Sequence, residues 1–167
     1  MATVVFSHGQ ESGPWGTKIR AMAELVESKG LTALSIDYQG IADPTERVEK
    51  LIAEAGDIDD ALVLVGSSMG GHVATAAADR LSAVGLFVLA PAYYMEGYEH
   101  LTPPAPAMPI CIVHGWHDDV VPVDNSIRFA RECSASLYLV DGDHRLTANI
   151  DAINRQLDAF IDTLGIA

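Results

Sequence analysis

Ala61-Leu62-Val63-Leu64-Val65-Gly66-Ser67-Ser68-Met69-Gly70-Gly71 is the stretch whose reading decides how the chain folds. Its first five residues are continuously apolar, as a parallel strand covered on both faces requires. They run into a serine flanked by glycine two places before and two places after, and the alanine-rich Gly71 to Leu81 that follows reads as a closely packed helix. A strand that turns sharply into a helix leaves no room for side chains two residues either side of the turn, so Gly66 and Gly70 are sterically required. The same turn puts Ser68 at a helix N-terminus, where free N–H groups and the dipole favour developing negative charge. Ser68 is therefore the candidate nucleophile.

Outward from this turn, short runs rich in Val, Ile and Leu alternate with amphipathic segments, the rhythm of a parallel sheet flanked by helices. The other predicted strands are Thr3 to Ser7, Leu31 to Tyr38, Gly85 to Ala90, Pro109 to His114 and Ser136 to Val140. Unbroken hydrophobicity places Ala61 to Val65 and Gly85 to Ala90 at the centre. Asp43-Pro44-Thr45-Glu46 supplies an N-cap carboxylate, a proline at the first helical position and an acid at the third, and Val48, Leu51, Ile52 and Ala55 follow at helical spacing before Gly56. Further helices are expected over Thr17 to Ser28, Asn125 to Cys133 and the final segment, where Ile150, Ile153, Leu157, Phe160, Ile161 and Leu164 share one face. Ala92 to Met108 breaks the rhythm: with Tyr93, Tyr94, Tyr98, Pro103, Pro104 and Pro106 it is too proline-rich for a helix and long for a connection.

Composition bounds the rest. A chain of 167 residues, 49% hydrophobic and 20% charged, fits a single domain over 1–167 with a substantial core. Its net charge of −13 repels phosphate backbones and anionic lipid, so neither nucleic acid nor a membrane surface is expected as partner. The uncharged Leu81 to Met95 contains Gly85 and Pro91 and falls short of the ~20 apolar residues that span a bilayer. The start moves directly into strand-like residues without the basic region of a signal peptide, so the expected location is cytoplasmic. Cys111 and Cys133 have neither CxxC nor metal-type spacing and read as spectator thiols.

A nucleophilic serine needs a base, which this architecture takes from beyond the last strand. His144, in Asp141-Gly142-Asp143-His144-Arg145, lies four residues after Val140 on a turn that can reach back across the strand ends. An acid is then needed between Ser68 and His144. His114-Gly115-Trp116-His117-Asp118-Asp119-Val120-Val121-Pro122 supplies two adjacent aspartates, of which only one can face His144. The same segment has metal-ligand residue types, but its spacing matches no strong zinc pattern, and no metal is expected. His72, four residues along the helix from Ser68, reads as a packing residue, and G-x-G-x-x-G is absent.

With these residues in place the chain resembles the α/β-hydrolases, and in particular the small single-domain serine esterases without a cap. That resemblance implies an α/β core of about six mostly parallel strands with helices on both faces, the first strand lying between the second and third. In such proteins the acid loop reads H-G-x-x-D-x-x-V-P; aligning His114-Gly115 and Val121-Pro122 with it implies Asp118 as the triad acid and leaves Asp119 on the surface. Phe6-Ser7-His8-Gly9-Gln10 is similar to the family's oxyanion loop, which implies the backbone N–H groups of Gln10 and Met69 as the oxyanion hole and a structural role for His8. The implied activity is hydrolysis of a small-molecule carboxylic ester, or of a thioester, through an acyl-enzyme with no cofactor.

Two points stay open on the residues alone. Tyr93, Tyr94 and Tyr98, with Trp116, either line an acyl or leaving-group pocket or merely pack their own loop. The scaffold also hosts other outcomes: acyl transfer or perhydrolysis, and non-enzymatic proteins that use the pocket to hold a ligand or partner. Oligomeric state is not legible.

Overall fold

The computed structural model describes residues 1–167. Six strands, β1 (Ala2–Ser7), β2 (Thr32–Ile36), β3 (Ala61–Ser67), β4 (Gly85–Leu89), β5 (Ile110–Gly115) and β6 (Ser136–Val140), alternate with helices α1 (Thr17–Ser28), α2 (Pro44–Ala55), α3 (Met69–Ala78), α4 (Val123–Cys133) and α5 (Ile150–Leu164). The strands form one sheet in the order β2-β1-β3-β4-β5-β6, and every neighbouring pair is parallel. All six therefore end on the same edge, and the loops leaving β1, β3, β4, β5 and β6 gather there. The chain reverses its order of travel between β1 and β3, the kind of crevice where open α/β sheets bind ligands.

Two apolar layers cover the sheet. One packs Val48, Leu51 and Ala55 of α2, Val73, Ala74 and Ala77 of α3, and Phe129 of α4 against Val5, Leu64 and Val88. The other packs Ile19, Met22 and Val26 of α1 and Ile153, Leu157 and Ile161 of α5 against Val4, Val65 and Leu89. A large apolar side chain fully withdrawn from water contributes about 1.5–3 kcal/mol, so these layers are the main force holding the site's edge in shape. The cap of α2 is as its residues require: Asp43 accepts from Thr45 N–H at 2.9 Å, and Pro44 opens the helix. No helix is long and apolar enough to cross a membrane.

Several boundaries differ from expectation by one to three residues, and two of them bear on the site. α3 starts at Met69, two residues earlier than its alanine-rich stretch suggests, because the turn is completed by Ser68 alone. β2 stops at Ile36 because Asp37 caps a turn by accepting from Gln39 N–H at 2.9 Å, and Tyr38 N–H leaves the ladder to donate to His8 Nε2 at 2.8 Å.

Candidate active site

Ser68 sits between the last residue of β3 and the first of α3, at φ +55° and ψ −120°. A non-glycine residue held there stores about 1–3 kcal/mol of strain and persists only when its surroundings over-determine it. They do: Ser68 N–H donates to Leu89 O at 2.9 Å, and Ser68 O accepts from Gly71 N–H and Ala92 N–H, each at 3.0 Å. A Cβ on Gly66 would overlap the Gly70 carbonyl, and one on Gly70 would overlap the carbonyls of Ser7 and His8. Glycine at both places is the condition for β3 and α3 to meet at so sharp an angle. Met69 is the first helical residue, so its N–H has no acceptor within α3.

The loops leaving β5 and β6 are tied to each other before they reach Ser68. Trp116 N–H donates to Val140 O at 2.9 Å and His117 N–H to Gly142 O at 3.0 Å, and any Cβ on Gly115 would overlap Gly142 O. That close approach delivers His144 to Asp118. His144 Nδ1 lies 2.8 Å from Asp118 Oδ2, and His144 Nε2 lies 3.0 Å from Ser68 Oγ. Asp143 steadies the turn by accepting from Arg145 N–H and Leu146 N–H at 3.1 and 3.0 Å.

Asp118 is fully shielded by its partners. Oδ1 accepts from Val120 N–H and Val121 N–H, each at 2.8 Å, while Oδ2 meets His144 and, at 3.0 Å, Nε2 of His114. Burial alone would raise its pKa, but the hydrogen bonds from His144 and the two backbone N–H groups outweigh it, and the carboxyl titrates below its ordinary value. His114 is itself wholly buried. Its Nε2 also faces Val121 O at 2.9 Å, so that nitrogen carries the hydrogen, and Nδ1 accepts from Ser126 Oγ at 2.7 Å. Burial lowers its pKa despite the neighbouring carboxylate, which keeps the ring neutral. Asp119 is exposed, and His117 pairs with Asp141 at 3.1 Å outside the site.

The loop leaving β1 closes the other side. A Cβ on Gly9 would stand 3.5 Å from Ser68 Cβ and 3.5 Å from Ser67 O, so the chain at Gly9 runs beside the turn with room for little more than a methyl group between them. Gln10 N–H donates to no group in the chain. Lys18, at the start of α1, donates to Ser67 Oγ at 3.2 Å; burial brings its pKa down to about 8, against the opposing pull of Asp143 and Asp118.

A family model described as an alpha/beta hydrolase domain matches residues 1–162. The chain belongs to the α/β-hydrolase family. Among solved structures, one from Xanthomonas campestris pv. campestris, provisionally described as a hydrolase of the alpha/beta superfamily, is 31% identical over 97% of this chain and 98% of its own, with a TM-score of 0.86. Est1E from Butyrivibrio proteoclasticus, solved with ferulic acid bound, is 17% identical over 98% of this chain and 89% of its own at a TM-score of 0.83. A serine hydrolase without a lid, also from Xanthomonas campestris, is 19% identical over 97% and 81% at a TM-score of 0.80. At such identities the last two show the fold alone. A search of curated proteins returns no match.

Within this α/β-hydrolase the aromatic residues left open between pocket and self-packing have separate places. Tyr93 packs into the core: it is fully buried, stacked on Phe129 with ring centroids 4.1 Å apart, its hydroxyl 2.5 Å from Thr75 Oγ1. Tyr94 turns to α4, where its ring lies under the Arg128 guanidinium at 3.8 Å and its hydroxyl donates to Glu132 at 3.0 Å. Asn125 Nδ2 holds the bend by donating to Tyr93 O at 2.9 Å. Tyr98 and Trp116 are exposed, at 64% and 53%. A depression of about 250 Å³ between the 92–108 loop and α4 is lined by Tyr94, Pro103, Pro104 and Arg128, and includes none of Ser68, Asp118 or His144. Sequence reasoning passed over Lys18, Arg47 and Ser126, which carry no motif, and gave His114 no role beyond its place in the acid loop.

Proposed function

We propose that the chain is a serine hydrolase that cleaves a small carboxylic ester, or a thioester, through an acyl-enzyme. The observation that carries this reading is the continuous hydrogen-bonded path Ser68 Oγ to His144 Nε2 and His144 Nδ1 to Asp118, starting at a strained residue at the head of a helix. Ser68 Oγ attacks the ester carbonyl and passes its proton to His144 Nε2. Asp118 holds the Nδ1–H tautomer and stabilises the imidazolium without taking its proton. The charge that develops on the carbonyl oxygen is met by the N–H groups of Met69 and Gln10, neither of which has an acceptor to give up. His144 returns the proton to the leaving alcohol or thiol, and water, deprotonated by the same ring, then releases the acid and restores Ser68.

A shallow, open site is the second part of the proposal. Nothing between β4 and β5 beyond the 92–108 loop is available to cover Ser68, and that loop spends Tyr93 and Tyr94 on α4 and the core. Tyr98 and Trp116 are left exposed, and we take them as the aromatic rim of the site. Hydrolysis of p-nitrophenyl acetate tests the reading: Ser68→Ala should lose roughly three to six orders of magnitude in kcat while keeping its circular dichroism. Near-normal turnover by the folded variant would refute it.

A further inference from the structure

Arg47, in the first turns of α2, is only 2% exposed, yet no carboxylate lies within ion-pairing distance of it. Burying a guanidinium is expensive unless its donors are satisfied. Here backbone carbonyls receive two of its three nitrogens: Nε donates to Ile41 O at 2.7 Å, and Nη1 to Gly9 O at 3.2 Å and His8 O at 3.4 Å. The ring of Tyr38 lies 5.2 Å from the guanidinium carbon. Two of the three carbonyls belong to the loop beside Ser68, so the cation is spent on that loop.

His8 converges on the same oxygen. Tyr38 N–H donates to His8 Nε2 at 2.8 Å, so Nε2 is an acceptor and the hydrogen resides on Nδ1, which donates to Gly9 O at 2.7 Å. Gly9 O thus receives His8 and Arg47, with Ser12 Oγ more distant at 3.4 Å, and both of its lone pairs are engaged. No peptide bond in the chain is cis. In a planar trans peptide the C=O and the following N–H point in opposite directions. Fixing Gly9 O therefore fixes Gln10 N–H, and that N–H has no acceptor of its own within the chain.

We infer that Arg47, acting with His8, is a positioning residue that locks the Gly9–Gln10 peptide in one orientation so that Gln10 N–H is presented beside Ser68. The inference rests on the proposed role of Gln10 N–H as an oxyanion donor. A flipped peptide would aim a carbonyl oxygen where the N–H should be and repel the developing charge. Because the lock matters when the carbonyl becomes an oxyanion, its loss belongs in kcat rather than KM.

The test compares Arg47→Met, which keeps much of the volume and removes the donors, with Arg47→Lys, which keeps a cation and a donor. The Gln10 amide of ¹⁵N-labelled protein reads the peptide whether or not the protein turns over substrate. We expect one sharp Gln10 resonance in the wild type, a doubled or exchange-broadened one in Arg47→Met, and a largely restored one in Arg47→Lys. With p-nitrophenyl acetate, Arg47→Met should lose about ten- to a thousandfold in kcat with KM within about threefold. An unchanged Gln10 resonance in folded Arg47→Met overturns the inference, whatever happens to kcat. If Arg47→Met does not fold, Arg47→Gln takes its place under the same criteria. A Gln10 change in a protein whose wild type neither hydrolyses esters nor reacts at Ser68 would sink the hydrolase reading and leave the lock standing.

Discussion

Two loops flank Ser68, and they hold their contributions in opposite ways. The loop after β5 presents an anionic side chain, Asp118, and surrounds it with donors: two backbone N–H groups, His144 and the neutral His114. The loop after β1 presents an uncharged peptide and fastens its carbonyl with the neutral His8 and the buried cation Arg47. Each side relies on a buried histidine whose two ring nitrogens are both committed, so that neither ring can rotate freely or accept a proton cheaply. A carboxylate brings its own attraction for donors, whereas a peptide has to be held from behind. That is why the acid side is recognisable by its side chains and the peptide side only by its surroundings.

The largest expected effect separates Asp118 from its neighbour. Asp118→Asn should cost up to about four orders of magnitude in kcat by favouring the wrong His144 tautomer, while exposed Asp119→Asn should cost less than about tenfold. Reversed costs would mean that the acid loop acts through a register other than the one its hydrogen bonds describe.

Next in size is a change that leaves both flanks intact. Tyr93→Ala removes a buried ring stacked on Phe129 and should lower unfolding stability by about 3–5 kcal/mol in chemical denaturation. Its effect on KM should be small, because the ring faces the core and not the substrate. A variant of unchanged stability with altered ester preference would return the 92–108 loop to the site.

The buried and half-buried histidines make the comparison sensitive to acid. His8, His72 and His114 all titrate below their ordinary 6.5, with burial as the leading cause in each. They are neutral in the fold and take up protons on unfolding below about 6.5, so the unfolded chain binds more protons there, and stability is full above that value and falls as the pH drops beneath it. Thermal midpoints measured from about pH 8 down to about pH 5 should fall at the acid end, and the fall should lessen in His8→Gln and His114→Gln. A flat profile would mean that these rings protonate in place.

How much of this is legible in the residues follows the same division. The turn at Ser68 is readable because sterics demand Gly66 and Gly70, whereas the residues alone leave Asp118 and Asp119 open, and only the resemblance of their loop to H-G-x-x-D-x-x-V-P points to Asp118. Arg47 is not, since a charged residue beside Val48 on an amphipathic helix ordinarily points to water, and only the fold turns it onto Gly9 O. Tyr93 is ambiguous for the converse reason: an aromatic in a proline-rich stretch can line a pocket or pack its own loop, and this one, four residues after β4, joins the core against Phe129 of α4. β2 is shorter than its hydrophobic run because Tyr38 N–H is claimed by His8, a partner 30 residues earlier in the chain.

The smallest expected effect falls on the rim. Trp116→Ala and Tyr98→Ala remove exposed rings and should each change the ratio of kcat/KM for short against medium p-nitrophenyl esters by less than about tenfold, with stability unchanged. Equal loss on every ester would assign each ring to the geometry of its own loop instead of to substrate contact.

The central claim is that Ser68 is activated by what the two flanks present to it. Reaction with a fluorophosphonate probe, followed by peptide mapping, addresses it most directly, because an unactivated serine does not react. The account predicts one modified site at Ser68, lost in Ser68→Ala and strongly slowed in Asp118→Asn. Wild-type protein that is folded and unlabelled, or labelled at another serine, would contradict it.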